Sequence, residues 1–209
     1  MKNNILLDGV NYQCIEKNEN FTINGNVLIY IVNNDFELLN FEINDSSSLE
    51  IVNFSENKFN GKININMHNN SVFNYVSNID VKNEYNLKIS LNMLGNNSKS
   101  DIKINGVVSG NACISVDSFD DVNTIDNIID ESIRILNNGG LVHVEPILRV
   151  GSRNVIANHS NSITNIDESY LFYLKTKGIT EEKAKELIIN SYKYGLVSKY
   201  EDVIKNIKR

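Results

Sequence analysis

Few side chains in this chain are equipped for chemistry. Its two cysteines, Cys14 and Cys113, lie far apart, and its three histidines are His68, His143 and His159. Thiolates and imidazoles are metal ligands, yet no C-x-x-C pair and no H-E-x-x-H helix is present, so no self-contained zinc site follows. There is no G-x-S-x-G elbow for a nucleophilic serine. There is no G-x-x-x-x-G-K-[ST] loop either, which excludes ATP hydrolysis by that route. Cys113, in GNACISVDSF, follows a glycine-bearing turn and precedes a strand, which predicts a buried core thiol. Cys14, in VNYQCIEKN, reads as structural. His143 and Glu145 alternate with Val142 and Val144, so both face one side of a strand, toward solvent or a partner. His68 falls at a polar tip and is expected to be exposed.

The elements that position these residues are short strands. From about Phe21 to Val155 the apolar residues keep a period of two, as in Val27, Ile29, Ile31, then Ile63, Ile65, Met67, then Leu87, Ile89, Leu91. Clusters of Asn, Ser, Asp and Gly separate the runs, and no helical pattern intervenes. This predicts an all-β domain, as a sandwich, barrel or solenoid. The segments NVLIYIVNNDFELLNFEI and KININMHNNSVFNYVSNI share a strand, a polar tip and a second strand, with tips at Asn33-Asn34 and Asn69-Asn70. A repeated unit of that kind suits a stacked β-helix as well as ordinary hairpins. After Asn161 the texture changes. Asn165 or Asp167 can cap a helix through Tyr170, Leu171, Phe172 and Leu174, with Gly178 at its left-handed end. Thr180 caps a second helix with Ala184, Leu187, Ile188 and Tyr192 on one face, ended by Gly195. Ser198 to Glu201 fits a capping box opening a third helix with Val203, Ile204 and Ile207. The expected division is a β domain over 1–162 and a helical domain over 163–209.

Composition bounds the partners. The formal net charge of −6 argues against gripping nucleic-acid phosphates. No run approaches the roughly 18–20 apolar residues of a membrane span, and the N-terminus does not read as a signal peptide, so a cytoplasmic location is expected. Thirty-seven of the 209 residues are asparagine and only Pro146 is proline. Asparagine tolerates left-handed turns, so a chain that turns often has use for it. An AT-rich genome would enrich it equally well.

One stretch carries more. Pro146-Ile147-Leu148-Arg149-Val150 is followed by His159, then by Asp167-Glu168-Ser169-Tyr170-Leu171-Phe172-Tyr173-Leu174, then by Gly178-Ile179-Thr180-Glu181-Glu182 and an amphipathic helix. In order and spacing this resembles the C-terminal hallmark of the SufB/SufD family, the scaffold proteins of SUF iron–sulfur cluster assembly. The likeness extends more loosely over roughly residues 24–194. Members usually carry a long N-terminal helical region, so this chain looks like a minimal, core-only version.

The resemblance implies a right-handed parallel β-helix followed by a small C-terminal helical domain. It implies a scaffold rather than an enzyme, working as a homodimer, or as a heterodimer with a second SufB/SufD-type chain, beside a separate SufC-like ABC ATPase that hydrolyses the ATP. It also implies a transiently held iron–sulfur cluster. His159 stands where SufD-type proteins carry an interface histidine, and an imidazole can ligate iron. SufD-type sequences have a cysteine two residues earlier, where this chain has Ala157. SufB-type sequences have an acid just after it, where this chain has Ser160. Residues 120–145 lack the cysteine that receives sulfur in SufB-type proteins. The implied ligand set is therefore His159 from each protomer, helped by Cys113 or an external thiol or sulfide. Tyr170, Phe172, Tyr173, Leu187 and Tyr192 form the expected ATPase-docking stripe, with sealing of the solenoid's open end as the other use for those aromatics. An interaction protein that keeps the fold and the ATPase contact without cluster chemistry is the alternative function.

Overall fold

A computed structural model describes residues 2–9, 11–12, 18–32 and 35–200 of the protein. Cys14, the Asn33-Asn34 tip, and Glu201, Val203, Ile204 and Ile207 of the expected third helix lie outside them. Among the described residues, twelve strands stack in parallel. The back sheet runs β1 (Lys2–Leu7), β3 (Asn18–Asn24), β5 (Leu38–Ile43), the second halves of β6 (Ser48–Met67) and β7 (Val72–Met93), β9 (Asn111–Asp120) and β11 (Leu141–Val150). The front sheet runs β2 (Asn11–Tyr12), β4 (Asn26–Val32), the first halves of β6 and β7, β8 (Lys99–Val108), β10 (Asn127–Asn137) and β12 (Val155–Thr164). The chain alternates between the sheets and so winds into a parallel β-solenoid of about five turns, as expected from the resemblance.

The period-two pattern explains the packing. Alternate side chains point into the lumen, and in-register parallel pairing stacks each one on its counterpart in the next coil. One front-sheet column runs Ile29, Ile51, Tyr75, Ile102, Glu131, His159. A back-sheet column runs Phe21, Phe41, Ile65, Leu91, Ser118, Leu148. Phe21 and Phe41 stack with ring centroids 4.9 Å apart. Each fully buried apolar member contributes about 1.5–3 kcal/mol. Both columns turn polar on the same coil, the last but one.

Asparagine and its relatives make the corners. Ser46, Asn70, Asn97 and Asp126 occupy equivalent turns with positive φ, and each precedes a buried Ser47, Ser71, Ser98 or Asn127. Corners are tied from coil to coil. The Asp45 carboxylate accepts from the Asn69 N–H at 2.9 Å, and the Asn69 and Asn96 side-chain carbonyls accept from the N–H groups of Asn96 and Ile125 at 2.9 and 3.0 Å. Along the back sheet the Asn20, Asn40 and Asn64 amides form a ladder, each donating to the preceding coil at 2.7–2.9 Å. These bonds give the asparagine a structural use.

Beyond β12, α1 (Glu168–Thr176) starts at Asp167, whose carboxylate accepts from the Ser169 N–H at 2.7 Å. Gly178 takes the left-handed turn (φ 81°), and the Thr180 hydroxyl accepts from Lys183 N–H to start α2 (Glu181–Tyr194). Gly195 ends α2 with right-handed helical angles, and only a short 3-10 turn, Ser198–Tyr200, follows among the described residues. The segment that ends α2 lies across the outer face of the front sheet. Tyr194 stacks on Phe54 at 6.0 Å, Tyr200 meets Tyr30 edge-on at 6.1 Å, and Val197 joins Val52 and Phe54 in a second apolar cluster. Fully buried Asn78 closes the joint: its amide donates to the Tyr192 carbonyl at 2.7 Å, and its carbonyl accepts from Leu196 and Val197 N–H at 3.1 and 2.9 Å. Lys193 pairs with Asp80 at 2.6 Å. The aromatics of this segment therefore clamp the solenoid's side. No helix among the described residues is long and apolar enough to cross a membrane.

Candidate functional site

His159 sits on the terminal coil. β12 pairs with β10 and, among the described residues, has no strand on its other edge. In parallel register, paired residues share a face, so His159 lies on the lumen side of β12, directly over Glu131. With no further coil above it among the described residues, the imidazole is exposed at the rim. Ala157, on the same face, packs against the core, while Asn158 and Ser160 point outward, Asn158 donating to Asp130 at 2.9 Å. Ile156 and Ile163 are exposed on the same strand.

Glu131 belongs to none of the motifs that mark the chemistry-bearing residues. It is 3% exposed, between the buried Ile129 and Ile133. Ser118 donates its hydroxyl across the lumen to Oε1, and Oε2 has no hydrogen-bond partner among the described residues. Burial pushes the carboxyl above its ordinary range. The Ser118 hydrogen bond and the nearby His159 pull it down, and Asp117 adds to the rise. A signal was available: in Ile129-Asp130-Glu131-Ser132-Ile133-Arg134-Ile135 the acid takes the apolar phase of the alternation.

Cys113 corrects an expectation. It is exposed, not buried. β9 alternates buried Ala112, Ile114 and Val116 with outward Asn111, Cys113 and Ser115, because the strand enters one residue out of the phase a core thiol needs. Its register partner on β11 is His143, also exposed. Glu145 stands two residues along, accepting from the Ser115 hydroxyl at 3.4 Å. The outward placement of His143 and Glu145 agrees with the alternation. Cys113 thus belongs to the outer face of the back sheet and His159 to the rim of the front sheet, so one chain does not bring the two together. Among the described residues, no group of three or more His, Cys, Asp or Glu side chains is placed to hold a metal ion. His68, at the corner after β6, is half-buried and bonded to Glu42.

The docking stripe divides. Tyr170, Phe172 and Tyr173 are 65%, 70% and 58% exposed on α1, and Leu187 is exposed on α2. Tyr192 is half-buried beside a groove of about 590 Å³ that Leu136, Ile166, Tyr170 and Ile188 also line.

A family model described as the SUF system FeS cluster assembly, SufBD core domain, matches residues 36–192. The chain belongs to that family. The match runs from just before β5 into the last turn of α2, so it takes in His159, Glu131, α1 and most of α2. Membership in the SufBD core family gives the chain a role in SUF iron–sulfur cluster assembly. A comparison with curated proteins returns no match.

Proposed function

We propose that this SufBD-core protein is a scaffold subunit on which an iron–sulfur cluster is assembled. It would pair with a second copy, or a second SufBD-type chain, at the terminal coil, and dock a SufC-type ABC ATPase on α1 and α2. The observation that carries the reading is the edge of β12, which is unpaired among the described residues and presents His159 at the rim. A partner meeting that edge would bring a second set of ligands to His159. One chain supplies too few soft ligands for the usual four-thiolate binding, so the cluster, as cargo, needs groups from both chains and an external thiol or sulfide. The exposed aromatic residues of α1 suit a partner contact, since aromatic side chains dominate interface energetics.

His159→Ala should abolish the iron-dependent visible absorbance that appears on anaerobic reconstitution, with dimerisation unchanged. A variant that reconstitutes like wild type removes His159 from the site. For the ATPase, joint replacement of Tyr170, Phe172 and Tyr173 by alanine should abolish co-purification. This is a cleaner test than truncating after Asn165, which would uncover Tyr30, Val52 and Phe54. The remoteness of Cys113 from His159 favours one second reading, a subunit that binds the ATPase without holding a cluster. Under it, neither His159→Ala nor Cys113→Ser alters reconstitution, and the aromatic variant still loses the ATPase.

A further inference from the structure

Among the described residues, Glu131 is a buried acid whose surroundings do not account for it. In the next coil down, the same column position holds Ile102, so an apolar residue fits this site. The sequence instead places a carboxyl there, buried to 3% exposure and held on one side only, by Ser118. A buried oxygen without a partner is costly and needs a compensating use. Directly above it stands His159, whose ring is exposed at the rim. Nothing else in the column lies between them.

We propose that Glu131 is the positioning residue for His159: when the imidazole turns down toward the lumen, the Oε2 left without a partner in this structure accepts a hydrogen bond from one ring nitrogen and thereby fixes which nitrogen faces outward without a proton. A ligating histidine needs this arrangement, because the nitrogen that binds a metal must be unprotonated, and its opposite N–H is held by a carboxylate or carbonyl beneath. Ser118 then has a defined task. By holding Oε1 from the opposite sheet, it keeps the carboxyl plane from rotating and leaves Oε2 for the ring. Glu131 touches no cargo itself and acts through the orientation of His159. The inference rests on the proposed role of His159 for its purpose, but its geometry can be tested without any cluster.

The test reads the tautomer of His159 by nitrogen-15 NMR of the imidazole side chains, on the full-length, metal-free protein at a pH where the ring is neutral. Wild type should show a single His159 tautomer, whereas exposed His143 shows the mixture of a free imidazole. Glu131→Leu, which matches the lumen in size, should convert His159 to that mixture. Glu131→Gln, which keeps an acceptor oxygen, should restore the single tautomer. A wild-type His159 that already shows the free mixture overturns the proposal whether or not any variant folds. So does a Glu131→Leu protein that keeps the single tautomer. If the tautomer behaves as expected while His159→Ala still reconstitutes, the positioning role stands and the cluster reading falls; the opposite pair of results does the reverse.

Discussion

Replacing Asn78 with alanine should loosen the C-terminal segment from the solenoid without disturbing the coils. Asn78 is fully buried and makes three hydrogen bonds at 2.7–3.1 Å to the end of α2 and the residues after it. Alanine removes all three and leaves the N–H groups of Leu196 and Val197 facing a gap. With about 1 kcal/mol net per bond, and more for each buried group left unsatisfied, the loss is of order 3 kcal/mol. At 1.4 kcal/mol per factor of ten, that raises the opening equilibrium of the segment about a hundredfold. Burial of Val197 and Tyr200 contributes a similar amount and remains, so the segment stays docked most of the time. The observable is therefore a rate. Hydrogen exchange at Leu196, Val197 and the last turn of α2 should speed up by about two orders of magnitude, while β7 and β8 keep wild-type protection. An acceleration below about threefold would refute the assignment of Asn78 as the fastener. Equal acceleration in β7 and β8 would refute the separation of segment from solenoid.

Two further outcomes follow from the interior and the back sheet. Burial pushes the Tyr75 hydroxyl up to about 12 and Tyr85 well above its ordinary value, so the folded state holds these protons more tightly than the unfolded chain does. Their stabilisation is complete below about pH 10 and is lost as pH climbs toward 12 and beyond. In a titration followed at 295 nm, two of the nine tyrosines should ionise only together with loss of the β-sheet circular dichroism; all nine ionising near pH 10 with the sheet intact would contradict this. In a Cys14→Ser variant, the remaining thiol, Cys113, should react with a disulfide reagent in native buffer as fast as in denaturant, and protection in native buffer would return it to the core.

The coils were legible because a half-buried strand advertises itself by alternation. Ile63, Ile65 and Met67, or Leu87, Ile89 and Leu91, could be assigned to an inner face from the sequence alone. The docking place of the tail was not recognised, although the break in alternation at Ile51-Val52-Asn53-Phe54 marks it. Five consecutive buried residues, Ile51 to Ser55, mean that both faces of β6 are covered, and the second cover is the segment around Val197 and Tyr200. Which part of the tail supplies that cover depends on contacts more than a hundred residues apart, and no local pattern encodes them. Cys113 departs from the expected core position because the phase of its own strand, not the preference of free cysteine for interiors, decides which way it points. Glu131 is the converse case: its phase is right for the core and its residue type is not.

The corner ladder also measures the solenoid's girth. The corner bond from Gly25 to Ser47 spans 22 residues, that from Ser71 to Ser98 spans 27, and that from Ser98 to Asn127 spans 29. At about 3.3 Å per residue the difference adds roughly 20 Å to the perimeter, and part of it goes into strands that lengthen from seven residues in β4 to eleven in β10. The solenoid is thus a tapered horn rather than a uniform tube. Its coils are not interchangeable, so deleting one would leave a step between neighbours of unequal circumference. His159 opens on the broad mouth, and whatever meets that mouth end to end must match its width.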